Sequence, residues 1–140
     1  MKYALDTNII SYYLKGNIQL QDKVDSEAEN HNIVIPPFVY FETKKWLLAV
    51  QSKSKLNAFE KLFKERSIDD IDKEVVDMAL SIYVKLRKAG ITVDDGDLFI
   101  AAYCIKNDAI LVTNNVKHFE KIDNVHVVNW VSNNNQKTLV

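Results

Sequence analysis

The stretch that decides the fold is KYALDTN, residues 2–8, at the start of the chain. Residues 2–5 form a short, mostly apolar run, which is typical of a buried strand in a parallel sheet. Asp6 follows that run directly, and Thr7 or Asn8 can begin a short helix. The opening segment therefore predicts a buried strand that carries a carboxylate at its carboxyl end.

Three later segments resemble residues 2–5 in length and apolar character, and they are residues 32–35, 109–112 and 125–128. Stretches with helical spacing of apolar residues separate these runs, and they cover about residues 7–14, 18–30, 38–51, 53–65, 75–86 and 95–107. Short strands that alternate with helices predict an α/β fold. We expect a three-layer sandwich in which helices flank a central, mostly parallel sheet of four to five short strands.

The 140 residues suffice for one domain, and 47% hydrophobic with 26% charged residues suits a globular chain. We expect a single domain over residues 1–130. Residues 131–140 are rich in Asn, Gln, Ser and Lys, which predicts a polar tail.

Charge and cysteine content exclude several classes of protein. The net charge of −1 gives no global basic field for nucleic acid. Cys104 is the single cysteine, which excludes an internal disulfide and a cysteine-rich zinc site. Asp6 comes too early for a signal peptide, and no apolar run has the length of a bilayer span. We expect a cytoplasmic protein without a membrane partner.

Two predicted helices carry a carboxylate where an apolar side chain is expected. In the helix over 38–51, Glu42 lies within the face formed by Phe38, Val39, Trp46, Ala49 and Val50. In the helix over 95–107, Asp97 lies at the start of the stripe formed by Ile100, Ala101, Cys104 and Ile105. Ligands bind at the carboxyl ends of strands in such sheets, so we expect Glu42 and Asp97 to meet Asp6 there.

Three carboxylates in one place raise the pKa of one another, and a divalent cation relieves that conflict. An all-oxygen set suits Mg²⁺ or Mn²⁺, and such a site fits phosphodiester hydrolysis. Each acid also has a simpler interpretation. Asp6 can cap the next helix, Asp97 can favour a helix N-terminus, and Glu42 can pair with a buried base.

The chain resembles PIN-domain ribonucleases, and among them the VapC-type toxins of bacterial toxin–antitoxin pairs. The segments that carry the resemblance are YALDTNII at 3–10, IPPFVYFE at 35–42, DLFIAA at 97–102, LVTNN at 111–115, HF at 118–119 and VVNW at 127–130. They follow the family's order and cover nearly the whole chain.

The resemblance implies a Mg²⁺- or Mn²⁺-dependent endoribonuclease that blocks translation by cutting RNA, such as transfer RNA. It also implies a cognate antitoxin and a homodimer. Carried over by position, Asp6, Glu42 and Asp97 are the metal-binding acids. In the reaction that we expect, Thr113 and Asn115 help to position the water or the phosphate.

The fourth motif departs from the family at one position. Many relatives carry an acid where this chain has Asn115, which brings no charge. Asp94, Asp95 or Glu120 can compensate, and we favour Asp95 as an additional metal ligand, although it can also cap the helix. Asn115 in place of an acid affects whether a second metal ion binds. It does not affect the first metal site, which Asp6, Glu42 and Asp97 form.

The predicted reaction is in-line attack by water, which leaves a 5′-phosphate and a 3′-hydroxyl. The main alternative is a non-catalytic RNA- or protein-binding module on the same fold. Another is an enzyme phosphorylated on Asp6, although such enzymes commonly carry a second Asp where this chain has Asn8. Lys44, Lys45, Lys117 and His118 lie beside the motifs and are candidates for contacts with an RNA backbone.

Overall fold

The computed structural model describes residues 1–64 and 70–131. The strands are β1 (Lys2–Leu5), β2 (Asn32–Val34), β3 (Ile110–Val112) and β4 (Val127–Val128). The helices are α1 (Thr7–Leu14), α2 (Ile18–Ala28), α3 (Pro37–Ala49), α4 (Lys53–Lys64), α5 (Lys73–Lys88), α6 (Asp95–Lys106) and α7 (Val116–Phe119). This order confirms the predicted α/β architecture.

The four strands form one parallel sheet in the order β2-β1-β3-β4. Tyr3 is in register with Ile33 on one side and with Ile110 on the other. The second halves of the two central strands, Ala4–Leu5 and Leu111–Val112, are completely buried. Burial on both faces explains why these strands are continuously apolar rather than alternating in polarity.

The predicted helix boundaries have local causes. Gly16 (φ 90°) and Gly90 (φ 74°) adopt the left-handed conformation shortly after α1 and α5 end. Pro37 occupies the first position of α3, where its missing N–H costs nothing. Asp72 begins α5 by accepting a hydrogen bond from the amide of Val75 at 3.0 Å.

Helix α6 is the most deeply buried helix in the described part of the chain. Leu98 and residues 100–104 are all buried, so the apolar contact surrounds more of α6 than the stripe that the sequence predicts. The carboxyl end of α6 is tied to the start of α5 by an ion pair between Lys106 and Asp72.

The predicted inner face of α3 is wrong. Its buried residues are Val39, Thr43 and Leu47, which recur every four residues, whereas Trp46 and Val50 are 45% and 50% exposed. Of the predicted face, Val39 is buried as expected, whereas Trp46, Ala49 and Val50 are exposed. Packing of α3 against α1 and α4 instead buries a narrower stripe with a small polar residue at its centre.

The segments that follow β3 and β4 differ in part from the prediction. Helix α7 follows β3 and was not predicted, because four residues are too few for helical periodicity. Val131, the first residue of the predicted tail, is buried, and residues 132–140 lie outside the described residues. Within residues 1–64 and 70–131, no helix is both long and apolar enough to cross a membrane.

The hydroxyl of Thr43 is buried and has no hydrogen-bond partner among the described residues. Replacement by Val keeps the shape and removes the unsatisfied group, so Thr43→Val should raise the free energy of unfolding by roughly 1 kcal/mol. Urea denaturation at neutral pH measures this. Thr92→Val, at an exposed position, is the matched control and should change little. A destabilised Thr43→Val would mean that the hydroxyl is satisfied.

Candidate active site

The sheet register brings Asp6 and Thr113 together. Leu5 pairs with Val112, so the residues that follow them leave neighbouring strands at the same edge. The amide of Asp6 donates to the carbonyl of Val112 at 3.0 Å, which continues the ladder by one residue. Asp6 is only 5% exposed, and Thr113 is completely buried.

Both carboxylate oxygens of Asp6 accept hydrogen bonds. Oδ1 accepts from the amide of Thr7 at 2.8 Å, so Asp6 does cap α1. Oδ2 accepts from the hydroxyl of Thr113 at 2.8 Å and from the side-chain amide of Asn8 at 3.3 Å. The capping role and a role in the site are therefore compatible, because the cap uses one oxygen and the strand edge fixes the other.

Asn8 links the first and fourth motifs. Its side-chain amide is also 3.3 Å from the Oγ1 of Thr113, and its Oδ1 accepts from the backbone amide of Asn114 at 3.0 Å. The amide of Asn115 in turn donates to the Oγ1 of Thr113 at 3.0 Å. These bonds hold the segment after β3 against the beginning of α1.

Glu42 reaches the same edge from α3. Its carboxylate accepts a hydrogen bond from the hydroxyl of Thr7 at 3.2 Å, and its side chain is half-buried. The start of α3 also packs closely against α6 at Gly96. A Cβ on Gly96 would stand 2.5 Å from the ring of Phe38, so glycine permits this approach of the helices that carry Glu42 and Asp97.

Asp97 lies in the first turn of α6 and is half-buried. Its Oδ2 is 2.7 Å from the Nε2 of His118 on α7. A carboxylate oxygen accepts, so Nε2 carries the hydrogen and donates it. The sequence suggested His118 only as an RNA contact. Its spacing three residues after Asn115 was the available signal, but the contact depends on the short helix α7.

The carboxylates interact electrostatically. Burial raises the pKa of Asp6, hydrogen bonds from Thr113 and Thr7 lower it in part, and the charge of Asp97 raises it further. Burial also raises the pKa of Glu42, and the charges of Asp6 and Asp97 add to that rise, whereas Lys45 opposes it. The acids that the sequence predicts as a group therefore act on one another. We call Asp6, Glu42 and Asp97 the acidic site.

The remaining candidate residues of the predicted site lie at the surface, outside the buried part of the network. Asn115 is exposed at the N-terminal cap of α7 and contributes a backbone amide to the network. Asp94, rather than Asp95, occupies the N-cap position of α6. Asp94, Asp95 and Glu120 are all exposed, unlike Asp6 and Thr113, which are buried at the centre of the network. Asp95 as a metal ligand stays a prediction.

The donor chemistry of the acidic site suits a hard divalent cation, since it consists of carboxylate oxygens whose mutual repulsion a cation would relieve. Among the described residues, no three His, Cys, Asp or Glu side chains are already grouped as a metal site. The carboxylates are turned towards protein partners, Glu42 towards Thr7 and Asp97 towards His118. Each of these bonds engages one carboxylate oxygen, so the second oxygen of Glu42 and of Asp97 remains for a cation.

The PIN domain family matches residues 3–125. The chain belongs to the PIN domain family. Among curated PIN relatives, Ribonuclease VapC2 of Rickettsia felis is 31% identical over 135 residues, which cover 93% of this chain and 98% of the relative. Ribonuclease VapC1 of Haemophilus influenzae is 29% identical over 133 residues, with 93% and 98% covered.

Solved structures of PIN proteins have the same fold. The structure of VapBC2 from Rickettsia felis, bound to a DNA fragment from the promoter, contains a chain that matches this one with a TM-score of 0.84 and 29% sequence identity. The match covers 94% of this chain and 100% of that chain. VapBC-1 from nontypeable Haemophilus influenzae gives a TM-score of 0.82 and 27% identity, over 94% of this chain and 100% of the other. The predicted family and fold are confirmed.

The raised pKa of Glu42 predicts how stability depends on pH. A carboxyl whose pKa is higher in the folded than in the unfolded state destabilises the fold above the folded pKa, and this cost disappears below the ordinary pKa of 4.5. In metal-free protein, Glu42→Gln should therefore be more stable than wild type at pH 7. The difference should shrink as pH falls through the raised pKa of Glu42 and should be absent below pH 4.5. Thermal unfolding from pH 3.5 to about 7.5 measures both.

Glu120→Gln is the control, because Glu120 is exposed. Gln at position 42 keeps an oxygen that can accept from Thr7, so the comparison isolates the charge. A Glu42→Gln protein that is less stable than wild type at pH 7 without metal would contradict the electrostatic account of the acidic site.

Proposed function

We propose that this PIN protein is a metal-dependent endoribonuclease that acts as a toxin and is neutralised by a cognate antitoxin. The observation that carries the proposal is the convergence of Asp6, Glu42 and Asp97 at one edge of the sheet. The charge of Asp97 raises the pKa of Asp6 and of Glu42 there, and the charge of Asp6 raises the pKa of Glu42. Similarity along nearly the whole chain to proteins named ribonuclease VapC supports the activity.

The surface beside Glu42 suits single-stranded RNA. Phe41 is 55% exposed, and the ammonium group of Lys45 lies 5.2 Å from the centre of its ring. The charge of Lys45 also acts on Glu42, which places this pair beside the acidic site. An exposed ring can stack on a base, and a nearby lysine can pair with a phosphate. We propose that Phe41 and Lys45 receive the nucleotide next to the scissile bond.

Lys44 is not placed for that role. Its ammonium group lies 2.8 Å from the Tyr40 hydroxyl and 2.8 Å from a carboxylate oxygen of Glu60, so it links α3 to α4. Of the two lysines that follow Glu42 in the sequence, only Lys45 acts on the acidic site.

The proposed chemistry is in-line attack of water on a phosphodiester. Mg²⁺ or Mn²⁺ held by Asp6, Glu42 and Asp97 would supply the positive charge that polarises the phosphate and lowers the pKa of water. Thr113 acts through Asp6 as a positioning residue, because its buried hydroxyl is already committed to that carboxylate. Asn115 is exposed beside the network, and its side chain is proposed to contact the phosphate or the attacking water. Asp95 is proposed as an outer ligand for a second cation.

The geometry argues against covalent phosphorylation of Asp6. A phosphoryl group on either carboxylate oxygen would displace hydrogen bonds that these oxygens accept from Thr113 and Thr7 at 2.8 Å, whereas a cation can bind to a remaining lone pair. Such bonds disperse the charge that a nucleophile would need. Attack by water therefore fits the site better than attack by the aspartate.

Exposed apolar side chains are candidate contacts for the proposed protein partners. Leu80, Tyr83 and Val84 lie at helical spacing on α5 and are exposed, as are Trp46 and Leu48 on α3. Exposed apolar groups of this kind mark contact surfaces. The solved relatives are VapBC toxin–antitoxin proteins, so we propose that this chain binds an antitoxin and a second copy of itself. An arginine or lysine of the antitoxin would neutralise the acidic site.

Cleavage of total RNA by purified protein tests the activity. Wild type should produce discrete fragments with Mg²⁺ or Mn²⁺ and none with EDTA. Asp97→Asn should cut at least roughly 100-fold more slowly, because several kcal/mol of transition-state stabilisation depend on the cation. Asp95→Asn should lose less, because Asp95 is exposed. Asp108→Asn is the control, since Asp108 is exposed and precedes β3 at the opposite edge.

End-group analysis separates the mechanisms. Attack by water should leave a 5′-phosphate and a 3′-hydroxyl. Products with 2′,3′-cyclic phosphate would contradict that mechanism, and RNA binding without metal-dependent cutting would favour a non-catalytic binding module. Equal cutting by wild type and Asp97→Asn would remove Asp97 from the site.

A further inference from the structure

We infer that His118 is a positioning residue that holds Asp97 ready for the cation, by donating a hydrogen bond from Nε2 to one carboxylate oxygen. The inference rests on the proposed function. Because His118 engages Oδ2 of Asp97, the carboxylate can present its Oδ1 to a cation. Side chains that hold a ligand in this way raise metal affinity by restricting the ligand's orientation.

The imidazole is itself held in place. Its ring packs edge-on against Phe119 with the centroids 5.4 Å apart, and Phe119 is buried. The amide of His118 donates to the carbonyl of Asn115 at 3.2 Å, which fixes the turn of α7. Both the side chain and the backbone of His118 are therefore anchored, as a positioning role requires.

One short segment reaches two of the three acids. Thr113 holds Asp6 at 2.8 Å, and five residues later His118 holds Asp97 at 2.7 Å. Asn115 lies between them, and its amide joins the segment to Thr113. Residues 113–118 thus set the positions of a strand-end acid and a helix acid relative to each other. The charge of His118 also lowers the pKa of Asp6, so its effect is not confined to Asp97.

A role limited to folding would have a different consequence. The side chains of His118 and Asp97 are 25% and 27% exposed, and ion pairs at such positions contribute little to stability. Loss of the imidazole should therefore leave the fold almost unchanged while it weakens binding of the cation. Metal affinity measured without RNA separates these two effects.

The test is a Mn²⁺ titration of the purified protein, with free Mn²⁺ followed by electron paramagnetic resonance. His118→Ala should weaken Mn²⁺ binding by about 10- to 100-fold, with a nearly unchanged midpoint of thermal unfolding. His118→Gln should bind nearly as well as wild type, because its side-chain amide can donate in place of Nε2. His126→Ala is the matched control, since His126 is exposed and precedes β4 at the other edge of the sheet.

Wild-type affinity in His118→Ala, or equal weakening in His118→Ala and His118→Gln, would overturn the inference. Asp97→Asn separates this failure from failure of the proposed function. If wild type binds Mn²⁺ and Asp97→Asn does not, the metal site stands whatever His118→Ala does. If wild type binds no Mn²⁺, the proposed metal dependence fails, and the role of His118 fails with it.

Discussion

A buried carboxylate must be satisfied by hydrogen bonds, and the Asp6 carboxylate imposes this requirement on the sheet edge. The amide of Thr7 supplies one donor because α1 begins directly after β1. Thr113 supplies another because β3 pairs with β1 in a register that ends both strands together. Asn8 then binds both Asp6 and the segment after β3. The local structure of two motifs thus follows from one buried charge.

Hydrogen bonds do not remove the charge itself. Glu42 and Asp97 approach the same edge, and the pKa values of Asp6 and Glu42 rise as a result of burial and of like charge. A fold that only needed stability would place apolar groups there. Three acids at this edge have a physical rationale if they hold a divalent cation, whose positive charge then attracts the phosphate.

The sequence predicted those parts of the molecule that depend on local pattern. Apolar runs identified the strands, and the position of Asp6 after the first run placed it at the sheet edge. The prediction of the inner face of α3 was wrong because contacts with α1 and α4 bury Thr43 and leave Trp46 exposed. A helical wheel shows only the periodicity of one helix and cannot predict contacts with other helices. The contact of His118 with Asp97 was not predicted for a similar reason, since the distance between them depends on how α7 lies beside α6. The position of Asp6 needed only order along the chain, whereas the orientation of Glu42 and Asp97 needed tertiary structure.

The most direct measurement is an anomalous difference map from a crystal of this protein grown with Mn²⁺. We expect a peak within bonding distance of carboxylate oxygens from Asp6, Glu42 and Asp97, with Thr113 still donating to Asp6 and His118 still donating to Asp97. A map that shows no peak there, while Glu42 and Asp97 keep only their contacts with Thr7 and His118, would contradict the claim that the three acids form a cation site.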